Sequence, residues 1–297
     1  ETFNIIELLG GTWKSSNKGW NLIALPFKDP SAQFNYRLLM NQYGEKLQFK
    51  TADKNVPNRG ITPDSNGFTD QLIDALDYEQ MIIQVDSADS PESNLRSPNG
   101  KGIHHEPGLF LQVLNHVPTT GGDELHVARL GTIPHGDSVL AMGTVNITEE
   151  PPVIRDLNAL PIGVSQDLAS PYLSPYQHFE THPFFGTVNP DQVEGFPGFF
   201  SSNANAILQF AKFNNVKQTT KLHFNTKFGT GGIVNIPFIV KEANATEMEA
   251  TFWIMELEDG RFFMQYSQTV MLDFFDRPDG KGKIKWPHVS INTLVKE

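Results

Sequence analysis

Between Thr246 and Leu257 polar and apolar residues alternate, with Glu247, Glu249, Thr251 and Trp253 interleaved with Met248, Ala250, Phe252 and Ile254. A period of two puts successive side chains on opposite faces, as in a strand with one face buried. Glu258-Asp259-Gly260 supplies turn chemistry, so Thr246–Leu257 and Arg261–Phe274 form a predicted hairpin. Leu222–Phe228, Ile233–Lys241 and Ile284–Leu294 read as strands by the same criterion. Upstream, residues 1–9 predict a short helix or turn, and Gly10-Gly11-Thr12-Trp13-Lys14 opens a strand that continues through Trp20–Phe27. Further strands are predicted at Phe34–Met40, at Glu45–Lys50, and at Leu72–Val85 with a break within Asp74–Glu79. After a loop over Asp86–Gly102, Ile103–Leu114, Glu124–Leu130 and Ser138–Ile147 form a meander, separated by His116–Asp123 and Thr132–Asp137.

Residues 149–202 break this rhythm. Pro151, Pro152, Pro161, Pro171, Pro175, Pro183, Pro190 and Pro197 prevent any long regular element. Ser202 or Asn203 then caps a short predicted helix whose Ala206, Ile207, Phe210, Ala211 and Phe213 follow helical spacing. The expected organisation is a single β-barrel domain over residues 1–297, with an insertion or lid at about 149–220. About ten antiparallel strands close most economically as one up-and-down barrel, because closure removes exposed edges. A barrel of that size has a lumen, and a lumen implies a small-molecule ligand.

Composition agrees: 22 Phe, 24 Gly and 20 Pro with only 19% charged residues describe a mainly β chain rich in tight turns. The absence of cysteine excludes disulfides, thiolate-bound zinc, iron–sulfur clusters and thiol nucleophiles. A net charge of -11 without basic runs disfavours nucleic acid as a partner. No apolar run approaches the roughly 20 residues of a membrane span, and the N-terminus has neither a basic start nor an apolar signal core. A soluble, cytoplasmic protein is expected. Since residue 1 is Glu rather than Met, a processed secreted form stays open. Nothing here sets the oligomeric state.

Candidate chemistry centres on histidine. On a strand Ile284, Trp286 and His288 share one face and Lys283 and Lys285 the other, which predicts an apolar interior holding one imidazole. Such an imidazole is either a hydrogen-bonded core histidine or an axial ligand for haem iron. His104 and His105 are strand neighbours, so only one faces inward, and periodicity groups His105 with the apolar Leu109, Leu111 and Val113. Arg129 and His135 are candidates for contacting a ligand carboxylate, or are surface groups. His178 and His182 stand four apart, a metal-binding spacing on a helix, but the surrounding prolines argue against a helix there. Phe184, Phe185, Phe196, Phe199 and Phe200 either cover a pocket or anchor the insertion to the barrel wall. Gly229-Thr230-Gly231-Gly232 lacks the lysine and serine of a phosphate loop, and no nucleophilic triad is present.

Three segments resemble nitrobindin, a haem-binding barrel of the lipocalin and fatty-acid-binding-protein-like kind. Leu8-Leu9-Gly10-Gly11-Thr12-Trp13-Lys14 is similar to its leucine-glycine-threonine-tryptophan opening. His104-His105-Glu106-Pro107-Gly108 is similar to its histidine-x-glutamate-x-glycine strand, and Trp286-Pro287-His288-Val289 resembles the proline-histidine strand that carries the axial ligand. The resemblance covers mainly residues 5–50, 103–147 and 222–296. Ser15-Ser16-Asn17-Lys18-Gly19-Trp20 departs from it, standing where the family has alternating glycines and a proline.

The resemblance implies haem b held by His288, with His104 as the inward histidine and nitric oxide, peroxynitrite or peroxide handled at the iron. Trp286, Arg129 and His104 or His105 would then line the cofactor. The alternative expectation is a carrier of a fatty acid or other apolar molecule in the same lumen without iron. A third is a structural protein whose interior is filled by its own side chains.

Overall fold

The computed structural model describes residues 3–28, 35–58, 70–114 and 126–297. Helix α1 (Ile5–Leu9) is capped by Asn4, whose side chain accepts from the Ile6 and Glu7 amides. Six strands follow: β1 (Gly11–Pro26), β2 (Tyr36–Asn58), β3 (Gln71–Ser90), β4 (Gly102–Val113), β5 (Val127–Ile133) and β6 (Asp137–Thr148). The proline-rich segment contributes α2 (Ser174–Thr181) and α3 (Ala206–Phe210). Then come β7 (Val216–Asn225), β8 (Gly232–Asn235), α4 (Pro237–Glu242), β9 (Asn244–Leu257), β10 (Phe262–Asp276) and β11 (Lys283–Lys296).

Strands β1 to β7 pair antiparallel in sequence, β7 pairs with β9, and β9, β10 and β11 lead back to β1. This ring of ten is the expected up-and-down barrel, and β8 is an extra strand beside β6. Closure leaves no edge in the ring.

The local departures from expectation have physical causes. The separate predicted strands at Phe34–Met40 and Glu45–Lys50 are one strand, β2, with Phe34 itself outside the described residues. Its Gly44 sits against a bulge in β1, where a Cβ would approach the Ser16 carbonyl oxygen to 2.6 Å. The break expected within Asp74–Glu79 does not occur, and β3 runs on into the expected loop as far as Ser90. Predicted strand Ile233–Lys241 divides into β8 and α4, because Pro237 occupies the first helical turn, where its missing amide costs nothing. The same placement of Pro175 permits α2, which proline content had argued against. Glu124 and the loop His116–Asp123 lie outside the described residues.

Two apolar clusters result. The inner one joins α1 to the barrel lining through Ile5, Leu9, Trp13, Phe49, Phe110 and Phe252. The outer one lies between the barrel wall and the insertion, joining Trp20, Leu22, Tyr36 and Trp286 to Leu173, Tyr176 and Phe199. Tyr36 donates its hydroxyl to the Tyr172 carbonyl (2.5 Å), and the Lys285 and Ile162 backbones exchange two hydrogen bonds. The phenylalanines Phe184 and Phe199 thus anchor the insertion to the wall. Among the described residues no helix is long and apolar enough to cross a membrane.

Candidate functional site

The inner face of the barrel carries charge. Strand register aligns Glu45 with Ile82 and Ile82 with His104, and Gln80 with Glu106, so these residues form rows across β2, β3 and β4. Arg129 of β5 is buried, donates from Nη2 to Glu106 Oε1 (3.0 Å) and from Nη1 to Gln268 Oε1 (2.6 Å), and packs its guanidinium against Tyr78, Phe110 and Phe252. Tyr78 donates to the same Glu106 oxygen. Burial pushes the Glu106 carboxyl up, but Arg129, His104 and Tyr78 together outweigh it and hold the group at about 2.

A second network surrounds Glu45. Its Oε2 accepts from the Tyr266 hydroxyl (2.6 Å) and Asn292 Nδ2 (2.8 Å), and its Oε1 from Gln80 Nε2 (2.7 Å). No cation faces it at bonding distance among the described residues, and burial raises its pKa despite these bonds. The same burial pushes the Tyr43 and Tyr266 hydroxyls, 2.7 Å apart, well up.

Beyond these networks the lining turns to imidazole. His288 Nδ1 lies 2.9 Å from the Leu22 carbonyl oxygen. A carbonyl only accepts, so Nδ1 carries the proton and Nε2 presents its lone pair. Nε2 has no hydrogen-bond partner among the described residues, and the ring keeps partial access to solvent. Burial lowers the His288 pKa to about 4, outweighing the Leu22 bond, which raises it, and positive charge on His104 or His135 would lower it further. The ring is neutral at physiological pH. Asn41, on the row Asn41–Asn21–Ser290 beside it, has a buried Oδ1 without a partner among the described residues.

Of the adjacent pair, His104 turns inward, its Nε2 3.1 Å from Glu106 Oε2. The exposed His105 pairs outside with Glu79 at 2.9 Å. The resemblance therefore indicates the inward residue and periodicity does not. His135, in the β5–β6 turn, stacks on His104 with ring centroids 5.9 Å apart, and burial together with His104 lowers its pKa.

Trp286 belongs elsewhere. Its ring is fully buried in the outer cluster, stacked on Phe274 at 4.7 Å, with Nε1 donating to the Phe274 carbonyl (3.0 Å). Ile284 accompanies it there, so the expected shared inward face of Ile284, Trp286 and His288 is corrected. Arg129 is inside the barrel, but its charge is matched by Glu106 rather than offered to a ligand. His178 on α2 and His182 just past its end stack at 5.2 Å, and no group of three or more His, Asp or Glu side chains placed to hold a metal ion occurs among the described residues. Glu45 and Tyr78 escaped the sequence reading, and Glu106 entered it only as part of the motif His104-His105-Glu106-Pro107-Gly108, without a role of its own.

His288 thus offers a neutral ring with a fixed tautomer and an Nε2 that has no hydrogen-bond partner among the described residues. A scan against protein-family models gives no match, and a search of curated proteins likewise gives none.

Proposed function

We propose that this barrel binds haem b, with His288 as the axial ligand and His104 and His135 on the lumen lining nearby. The observation that carries the reading is the His288 tautomer, held by the Leu22 carbonyl so that Nε2 keeps its lone pair and has no hydrogen-bond partner among the described residues. When bound, the group would supply an iron centre able to take a small ligand such as nitric oxide, peroxynitrite or peroxide. The chain's own contribution is to orient the ring through Leu22 and to keep it neutral by burial. Glu106, anchored by Arg129, holds a second imidazole, His104, inside the lumen with its Nε2 proton shared toward the carboxylate. A long apolar chain in the lumen is a poorer match, because the half next to α1 is filled by Trp13, Phe49, Phe110, Phe224 and Phe252.

Reconstitution tests this. Haemin added to the full chain is expected to give a Soret band with the spectrum of a histidine-ligated iron. His288→Gly should lose that spectrum and regain it on addition of imidazole. An unchanged band and coordination state in the variant would overturn the assignment.

A further inference from the structure

A cavity lies outside the barrel, between its wall and the insertion, with a volume of about 660 Å³. From the insertion it is lined by Phe196, Ile207, Phe210 and Phe213, and from the barrel by Trp20 and Phe263. Its phenylalanines are clustered but unfinished. Phe196 packs edge-on against Phe210 at 5.7 Å and Phe213 tilts against Phe263 at 5.2 Å, yet all four keep part of their surface exposed. Rings that meet each other but leave surface open into a common space mark a place for an apolar guest.

Polar contacts beside the cavity tie α3 to the barrel wall. Gln265 on β10 donates through Nε2 to the Leu208 carbonyl of α3 (3.1 Å) and to Thr293 Oγ1 (3.2 Å). One turn away Ser267 donates to Asn205 Oδ1 (2.7 Å). These bonds fix α3 against the wall at a set distance, so the neighbouring rings are not free to collapse together.

Charge gives the guest its polarity. Every ionisable residue lining the cavity is cationic, namely Lys18, Lys212 and Arg261, in a chain whose net charge is -11. Arg261 is matched by Asp259 at 2.8 Å. Lys212 meets only the Gln209 carbonyl, at 3.1 Å, and Lys18 has no carboxylate partner among the described residues. An apolar floor with two uncompensated ammonium groups at its rim complements an amphiphile with one negative end.

We propose that this cavity is a ligand site for a long-chain carboxylate, whose chain lies against Phe196, Phe210, Phe213 and Phe263 and whose carboxylate meets Lys18 and Lys212. The site is separate from the lumen and does not depend on haem.

Dodecanoate, dodecan-1-ol and 12-bromododecanoate test it on the full chain. Dodecanoate is expected to bind saturably at one site, at least tenfold more tightly than the alcohol of equal length. Lys18→Gln with Lys212→Gln, both at exposed positions, should weaken dodecanoate about tenfold and leave the alcohol unchanged. The brominated acid should quench tryptophan emission, and Trp20→Phe should remove most of that quenching. His288→Ala should leave the affinity unchanged. Absence of saturable binding, equal affinity for acid and alcohol, quenching that survives Trp20→Phe, or loss of binding in His288→Ala would each overturn the proposal.

Discussion

Both faces of the barrel wall bury apolar groups, but they differ in what else they bury. The lumen side holds the buried charge: Arg129 with Glu106, and Glu45 with its tyrosines and amides. The outer side, where a soluble barrel normally meets water, carries Trp20, Leu22, Leu38, Tyr36 and Trp286 under the insertion. The insertion is the cause. It covers the outer wall and adds a second apolar cluster there, beside the one that packs α1 into the barrel, so the interior carries buried polar networks as well as apolar lining, at the cost of desolvation.

The largest effects are expected where each face commits most. Arg129→Met leaves Glu106 buried without its cation and should cost about 3–5 kcal/mol in urea unfolding. Adding Glu106→Gln should recover much of that loss, since the cost is the orphaned charge rather than the missing contact. Trp286→Ala on the other face should cost a similar amount, about 3–5 kcal/mol, by opening a cavity among Tyr36, Phe274 and Phe275. The difference lies in rescue: no charge substitution should restore stability to Trp286→Ala. A cost below about 1 kcal/mol for Arg129→Met would mean that the pair is not buried as described.

That both faces are covered also explains what was legible in the sequence. Alternation reveals that two faces differ, and turn residues mark where strands end, so ten barrel strands and an insertion follow from Glu247–Ile254, the Glu258-Asp259-Gly260 turn and the proline series. Which face lines the lumen does not follow when both are covered. On β4 the apolar Leu109 and Leu111 occupy the outer face while His104, Glu106 and Phe110 line the interior, so hydrophobicity selects the wrong histidine. On β11 the pairing with β1 reaches only Val289, and Lys285 pairs instead with Ile162 of the insertion. Ile284 and Trp286 share parity with His288 but are packed in the outer apolar cluster, to which His288 does not belong, a change of partner that spacing along one strand does not record.

Acidification separates the lumen groups from the apolar wall. The native His288 pKa, about 4, lies below the ordinary value of 6.5. Between those values the unfolded chain takes up a proton that the native ring refuses, so native stability falls as pH drops from 6.5 to 4. The full effect is on the order of 3 kcal/mol. Glu106, held at about 2 against an ordinary 4.5, adds a further loss as pH falls from 4.5 through 2. In His288→Gln the first decline should flatten while the second persists. A decline from 6.5 to 4 that is identical in the variant would assign it to other groups.

The smallest test sharpens the contrast within a single strand. His104 and His105 differ by one position and by one face of β4, and each meets a carboxylate: His104 meets buried Glu106 at 3.1 Å, and His105 meets exposed Glu79 at 2.9 Å. Distance alone would rank the outer pair stronger. Exposure reverses that order, because water and salt screen the outer pair, whereas the inner bond satisfies a carboxylate with little other access to solvent. His104→Ala should therefore cost about 1.5–3 kcal/mol at neutral pH, in the range of a hydrogen bond to a charged group. His105→Ala should stay within about 0.5 kcal/mol of the parent, with the residual effect vanishing in high salt. If the two losses came out equal, or if added salt erased the His104 effect, the lumen end would be as wet as the surface and the distinction between the two faces would hold only for the apolar wall.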